Sequence, residues 1–202
     1  MNKKKHWYDY LWIYTPLYLI LGLFNILFAW LGMIEFLIPL FIALFGGGKA
    51  FCNKYCARGQ LFDILGNKLN LSRKKVPPKF LSSNWFRYSF LLFFMSMFVL
   101  MIINTINVFW GVNDLKEVIK ILWTFKVPFG FSYTSSIFPD FVAQFAFGMY
   151  GMMLTSSILG FVTMLFFRPR SWCVYCPMGT MTQCVCKIKE GGFSGIKSAE
   201  SK

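Results

Sequence analysis

Residues 88–110 read YSFLLFFMSMFVLMIINTINVFW and residues 141–167 read FVAQFAFGMYGMMLTSSILGFVTMLFF, with no formally charged side chain in either run. A bilayer's hydrocarbon core, about 30 Å thick, is crossed by roughly 20 consecutive apolar residues in a helix, so each run is long enough to span with some tilt. The rest of the chain agrees. Of its 202 residues 56% are hydrophobic, 20% aromatic and only 14% charged, against about 45–50% apolar and 25% charged in soluble domains. A small soluble domain has no core large enough to hide so much apolar surface. The sequence therefore reads as all-α, a polytopic membrane protein.

The first apolar region, about Leu11 to Phe45, exceeds one span and falls short of two generous ones. It predicts a tight helical hairpin whose turn lies near Gly32–Glu35, where a glycine coincides with the region's only acidic residue. Glu35 is then expected to cap the outer turn, and the spans to hold no buried charge pair of the kind that marks an ion-coupled transporter. This gives four transmembrane helices. Lys and Arg test the topology independently, because they accumulate on the cytoplasmic side of short loops. Eighteen of the twenty-one lie before the first span, between Lys49 and Arg87, or from Arg168 onward; Lys116, Lys120 and Lys126 occupy the other loop. Both termini and the central loop are thus expected to be cytoplasmic, in a multi-pass protein of the cell inner membrane. Residues 1–190 are expected to form the membrane domain and residues 191–202 a flexible tail. The central loop is read as too short and polar for a core of its own. Residues 114–123, DLKEVIKILW, have the apolar spacing of a short helix lying at the outer membrane surface. The net charge of +13 falls in membrane-flanking clusters, which fits anionic lipid headgroups and not nucleic acid.

All six cysteines follow a span. Cys52 and Cys56 come after the second, and Cys173, Cys176, Cys184 and Cys186 after the fourth. On this topology they face the reducing cytoplasm, where clustered thiols are more often metal ligands than disulfides. If the second helix continues through Cys52, the i, i+4 interval puts Cys52 and Cys56 on one face, while Cys173-x-x-Cys176 joins two sulfurs around a turn. Four thiolates suit tetrahedral zinc or one [4Fe–4S] cluster. Cys176-Pro177 matches the Cys-Pro that closes bacterial ferredoxin ligand runs. Cys184 and Cys186 are the alternates, in which case the segment from Cys173 to Cys186 alone would ligate. Two fully cysteine-ligated clusters would need eight ligands, so one cluster is the ceiling for a single chain. Lys49, Lys54, Arg58, Arg168 and Arg170 flank the pairs, either offsetting a cluster's negative charge or serving only as inner-side anchors. The segments 48–59 and 168–179 echo each other, each placing a basic residue, aromatic, Cys, aromatic, Cys and Gly after a span.

The pattern Gly-x-x-x-Phe-Cys-x-x-x-Cys-x-x-Gly (47–59) and Trp-Cys-x-x-Cys-Pro-x-Gly (172–179) resembles the polytopic iron–sulfur proteins of the NapH/NosR type, membrane-bound 4Fe-4S binding proteins. The resemblance covers the two motifs, at 51–59 and 172–186, and the four-span layout. It implies that Cys52, Cys56, Cys173 and Cys176 ligate the cluster. It also implies electron transfer between a quinol pool or soluble donor and a partner redox protein, or a role in maturing a metalloenzyme. The chain has Ala57 where that family has Pro, two residues and not three inside the second pair, and no following ferredoxin domain. Electrons would pass to a separate, ferredoxin-like partner.

Other residues offer less. His6 is the only histidine, which excludes a bis-histidine haem within one chain. Met149, Met152, Met153 and Met164 at helical spacing read as packing and not as copper ligands. Asn104 and Asn107 are candidates for interhelical hydrogen bonds or for a quinone headgroup. The sequence therefore reads as an electron-transfer component with no catalytic residues of its own; the alternative is an assembly or scaffold subunit whose thiols bind zinc.

Overall fold

A computed structural model describes residues 7–45, 52, 55–112, 114, 115, 120, 121, 125, 126 and 138–186. The expectations about His6, Lys49, Lys54 and the tail at 191–202 fall outside the described residues. The chain enters through a 3-10 turn, Trp7–Ile13, and continues as α1, Tyr14–Phe24. It stops at Asn25, whose backbone is extended (φ −146°, ψ 118°) and whose side chain accepts the Leu27 N–H at 3.0 Å. Asn favours caps because its side chain offers the backbone a local partner in place of the helix. A second 3-10 turn, Ile26–Trp30, then runs directly into α2, Leu31–Leu44.

The turn of the first apolar region therefore lies at Asn25, which corrects the expectation of Gly32–Glu35: both of those residues are helical within α2. A Cβ on Gly32 would stand 2.8 Å from Tyr18 Oη, so this glycine serves the approach of α1 to α2 and not a change of direction. Tyr14 and Tyr18 of α1 donate to the carbonyls of Leu31 and Ala29 at 3.0 and 3.3 Å, tying the two arms together.

Among the described residues, three helices are long and apolar enough to cross a membrane: Ile26–Leu44, Asn84–Phe109 and Asp140–Phe166. The apolar helix Tyr10–Phe24 is shorter, and the eleven residues of α1 rise only about 16 Å at 1.5 Å each.

Between the second and third apolar regions the chain forms α3, Ala57–Asn67, and a single turn, α4, Lys79–Ser82, placed after Pro77 and Pro78. The long helices are α5, Asn84–Phe109, and α6, Asp140–Phe166. α6 is the axis of the molecule. Ala146, Phe147, Met149, Tyr150, Met152 and Met153 form a core with Tyr18, Ile26 and Ala29 on one side and Phe94 and Met101 of α5 on another. Met149 and Met164 are wholly buried, as packing residues are. Leu92, Val99 and Phe109 of α5 point outward as an apolar surface suited to lipid. Asn104 is exposed on α5, and among the described residues neither it nor Asn107 uses its side chain to hydrogen-bond another helix, contrary to the interhelical expectation.

Contrary to the expectation of a coreless central loop, α3 contributes to a core. Phe62, 2% exposed, joins Met164, Trp172 and Tyr175 in a second core. Arg58 reaches Ser156, Phe62 lies on Gly160, and Gly66 meets Pro169. These contacts advance in the same sense along both segments, so α3 runs beside α6 in the same direction. The Arg58–Ser156 contact lies ten residues back from the end of α6, about 15 Å at the helical rise.

α7, Trp172–Tyr175, and a helix over 177–186, here α8, follow α6. Between α5 and α6, β1 (Lys120–Ile121) and β2 (Phe125–Lys126) pair antiparallel, with Ile121 opposite Phe125. The expected surface helix over 114–123 is therefore not formed at 120–121. β-branched and aromatic residues flanking a three-residue connection favour a hairpin there.

Candidate metal centre

Cys52 lies in a π-helical turn, beyond the end of α2 at Leu44, so the α-helical i, i+4 face expected for Cys52 and Cys56 does not arise. Cys56 instead occupies the N-cap of α3, with extended backbone (φ −71°, ψ 103°), and its Sγ accepts the Gly59 N–H at 3.4 Å. Cys176 takes the same role at the other motif. It ends α7 with φ −50° and ψ 127° and precedes α8, whose first residue is Pro177 and whose Thr180 N–H bonds the Cys176 carbonyl at 3.0 Å. Proline suits a first helical position, where its missing N–H is not needed. The first motif thus aims a helix N-terminus, with its positive end of the backbone dipole, at the Cys56 sulfur, and in the second Cys176 stands at the start of α8.

The glycine three residues after each of these cysteines faces a sulfur of the other motif. A Cβ on Gly59 would lie 3.5 Å from Cys56 Sγ and 3.6 Å from Cys173 Sγ, and one on Gly179 would lie 3.8 Å from Cys52 Sγ. The two segments that echo each other in sequence interlock in space. All four cysteines lie within electrostatic reach: Cys56 of Cys176 and Cys52, and Cys173 of Cys56, Cys176 and Cys52. Burial, then the neighbouring Cys176, pushes the Cys56 thiol up to about 11; burial, then Cys56, raises that of Cys173 further. Such groups are costly to ionise alone, and a bound cation supplies the compensation.

Cys184 and Cys186 stand apart. Cys184 Sγ faces the Tyr88 hydroxyl and Cys186 Sγ the Ala43 carbonyl, each at 4.0 Å. The four gathered sulfurs are also more widely spaced than one ion requires. Among the described residues, no three Cys, His, Asp or Glu side chains close up tightly enough for a single metal. A zinc ion at about 2.3 Å from each of four sulfurs would draw them within roughly 4 Å of one another. Four thiols, two helix N-termini and two glycines that leave the space beside the sulfurs free fit a larger, anionic metal–sulfide group.

The second motif is walled off by aromatic rings. Trp172 and Tyr175 meet Phe90 edge-on at 5.8 and 5.1 Å, Phe86 meets Tyr175 at 5.5 Å, and Tyr175 Oη shares a hydrogen bond of 2.6 Å with Thr163 Oγ1. On the first motif's side, Arg58 Nη2 donates to Glu35 Oε2 at 2.9 Å and Nη1 to Ser156 Oγ at 2.5 Å. Glu35 is therefore not at the outer turn, and a span does carry a partly buried charge pair, with side chains 15% and 19% exposed. Both expectations are corrected by the fold-back of α3, which brings Arg58, from the segment between α2 and α5, to α2. Burial works against the Arg58 charge, but Glu35, Cys176 and Cys56 together hold the guanidinium above its ordinary value. Arg170 is more exposed and pairs with Asp63 at 3.4 Å.

Residues 28–79 and 150–192 match a family described as a 4Fe-4S binding domain. The two matched segments contain both cysteine motifs and the helices leading into them. No curated protein matches the chain, and no solved structure does. The match supports an iron–sulfur-binding family, and the cofactor is a [4Fe–4S] cluster. With three helices among the described residues long and apolar enough to cross a membrane, the chain is consistent with a membrane iron–sulfur protein.

Proposed function

We propose that this protein is a membrane electron carrier of the NapH/NosR type in which Cys52, Cys56, Cys173 and Cys176 hold one [4Fe–4S] cluster. The observation that carries the reading is the convergence of sulfurs from two motifs on each other's glycines, Gly59 beside Cys173 and Gly179 beside Cys52. When bound, such a cluster supplies a one-electron redox centre. The chain's own residues hold it, aim the N-terminus of α3 at the Cys56 sulfur, and exclude water with Phe90, Trp172 and Tyr175.

The proposed topology has four passes, with both termini on the cytoplasmic side of the inner membrane. It is supported by the packing of α3 against the Trp7–Ile13 turn, which brings the start of the chain to the motif end of the bundle. α1 and Ile26–Leu44 then form an out-and-back pair turning at Asn25. Electrons would exchange with a ferredoxin-like partner protein or with the quinone pool, at the basic inner surface.

The test is iron, acid-labile sulfide and zinc per chain on protein purified anaerobically in detergent, followed by EPR of the dithionite-reduced sample. About four irons and four sulfides with a reduced-cluster signal are expected. Ser at any of the four positions should abolish the visible absorption, while Cys184→Ser and Cys186→Ser should keep it. Zinc at about one per chain with no reducible chromophore would overturn the reading in favour of a metal-binding scaffold.

A further inference from the structure

Arg58 follows Cys56 by two residues and points away from solvent. It is held by Glu35 of α2 at 2.9 Å and Ser156 of α6 at 2.5 Å, with Met153 Sδ against the same guanidinium, and its side chain is 15% exposed. The thiols of Cys176 and Cys56 lie within reach of its charge. A cation in so dry a setting interacts several-fold more strongly than one in water. Arg170, near Cys173, is the comparison built into the fold: it is 48% exposed, bound to Asp63 across 3.4 Å, and open to screening by salt.

We infer that Arg58 is the positioning residue that sets the reduction potential of the cluster, its positive charge divided between the ligand sulfurs and Glu35. The inference rests on the ligand assignment proposed above. Reduction adds one electron to the oxidised cluster, supplied by dithionite in the assay; no bond breaks and no proton is required. The added negative charge is favoured by a fixed cation within electrostatic reach of Cys56 and Cys176 and disfavoured by the carboxylate that pairs with it. Removing Arg58 therefore lowers the potential, and removing Glu35 raises it, because the guanidinium then turns its whole charge toward the cluster.

The experiment is an EPR-monitored redox titration, with iron and sulfide counted in each sample, of wild type, Arg58→Gln, Arg58→Lys, Glu35→Gln and Arg170→Gln. Arg58→Gln should shift the reduction equilibrium at least tenfold toward the oxidised form, 59 mV for one electron, and Arg58→Lys should recover most of it. Glu35→Gln should shift it the opposite way. Arg170→Gln should move it less than threefold, and not at all in 1 M salt. Loss of Arg58 alone leaves a carboxylate unpaired, so Arg58→Gln is also made in the Glu35→Gln background, where it should again lower the potential tenfold. Fully loaded Arg58 variants within twofold of their parents would overturn the inference, as would shifts of the same sign in Arg58→Gln and Glu35→Gln. A wild type without iron and sulfide would sink the ligand assignment, and this inference with it.

Discussion

Substituting Gly160 by Ala tests whether α3 is held against α6 as described. The added methyl carbon would stand 2.5 and 2.6 Å from Cε2 and Cζ of Phe62 and 3.3 Å from Cγ of Trp172. Carbon atoms prefer about 3.5–4.0 Å, so the Phe62 ring must retreat by about 1 Å. It has little room, because Phe62 and Trp172 are each 2% exposed. Overpacking of this kind costs about 1–3 kcal/mol, or roughly 2–4 °C of thermal midpoint per kcal/mol in a chain of this size. The displaced groups lead to the cysteines: Phe62 is on the helix capped by Cys56, and Trp172 precedes Cys173. Iron per chain should fall together with the thermal midpoint in detergent, and Gly160→Ala combined with Phe62→Leu should recover part of both. A Gly160→Ala protein with full iron and an unchanged midpoint would refute the packing of α3 on α6.

Two further expectations follow from particular residues. Asn25→Ala removes the side chain that accepts the Leu27 N–H and should cost about 1 kcal/mol, read as a lower unfolding midpoint with iron content retained; an unchanged midpoint would argue against Asn25 as the turn. Burial holds the Cys56 thiol near 11, above its ordinary 9.0, and Cys173 higher still, so cluster insertion into reduced, metal-free protein must release protons. Reconstitution should become more favourable as pH rises from 7 to 9, whereas the metal-free fold, stabilised by neutral buried thiols below about pH 9, should weaken as pH climbs through 11. A yield independent of pH would contradict thiol burial.

The long uncharged runs were legible at once because a membrane span needs little beyond apolar length. The cysteine motifs were legible because their spacing is short and local. Asn25 was not, since a glycine beside the region's only carboxylate looked like the better turn signal. Gly32 instead admits Tyr18, and Glu35 faces Arg58, contacts that depend on packing between separate segments. α3 escaped for a related reason. Its eleven residues, ARGQLFDILGN, carry two charges and two glycines and read as loop, whereas Phe62 finds its burial only against Gly160 of α6. Glu35 had nonetheless left one trace: an ionisable residue inside an apolar run is a functional pointer wherever its partner lies.

The spacing of the two motifs also shapes how the fold and its cofactor depend on each other. Cys56 and Cys173 are separated in sequence by α3, α4, α5, the outer loop and α6, so a group ligated by both closes a loop of more than 100 residues. Closing so long a loop carries a substantial entropic cost, and thiolate ligation releases binding free energy only once the sulfurs have met. The packing of Phe62 on Gly160 and of Trp172 on Phe90 anchors the segments that carry the two motifs. Iron content is therefore a readout of helix packing as well as of the cysteines. A packing variant and a ligand variant can both lose iron, and they separate when cysteine-to-serine proteins keep the wild-type melting midpoint measured without metal while Gly160→Ala does not.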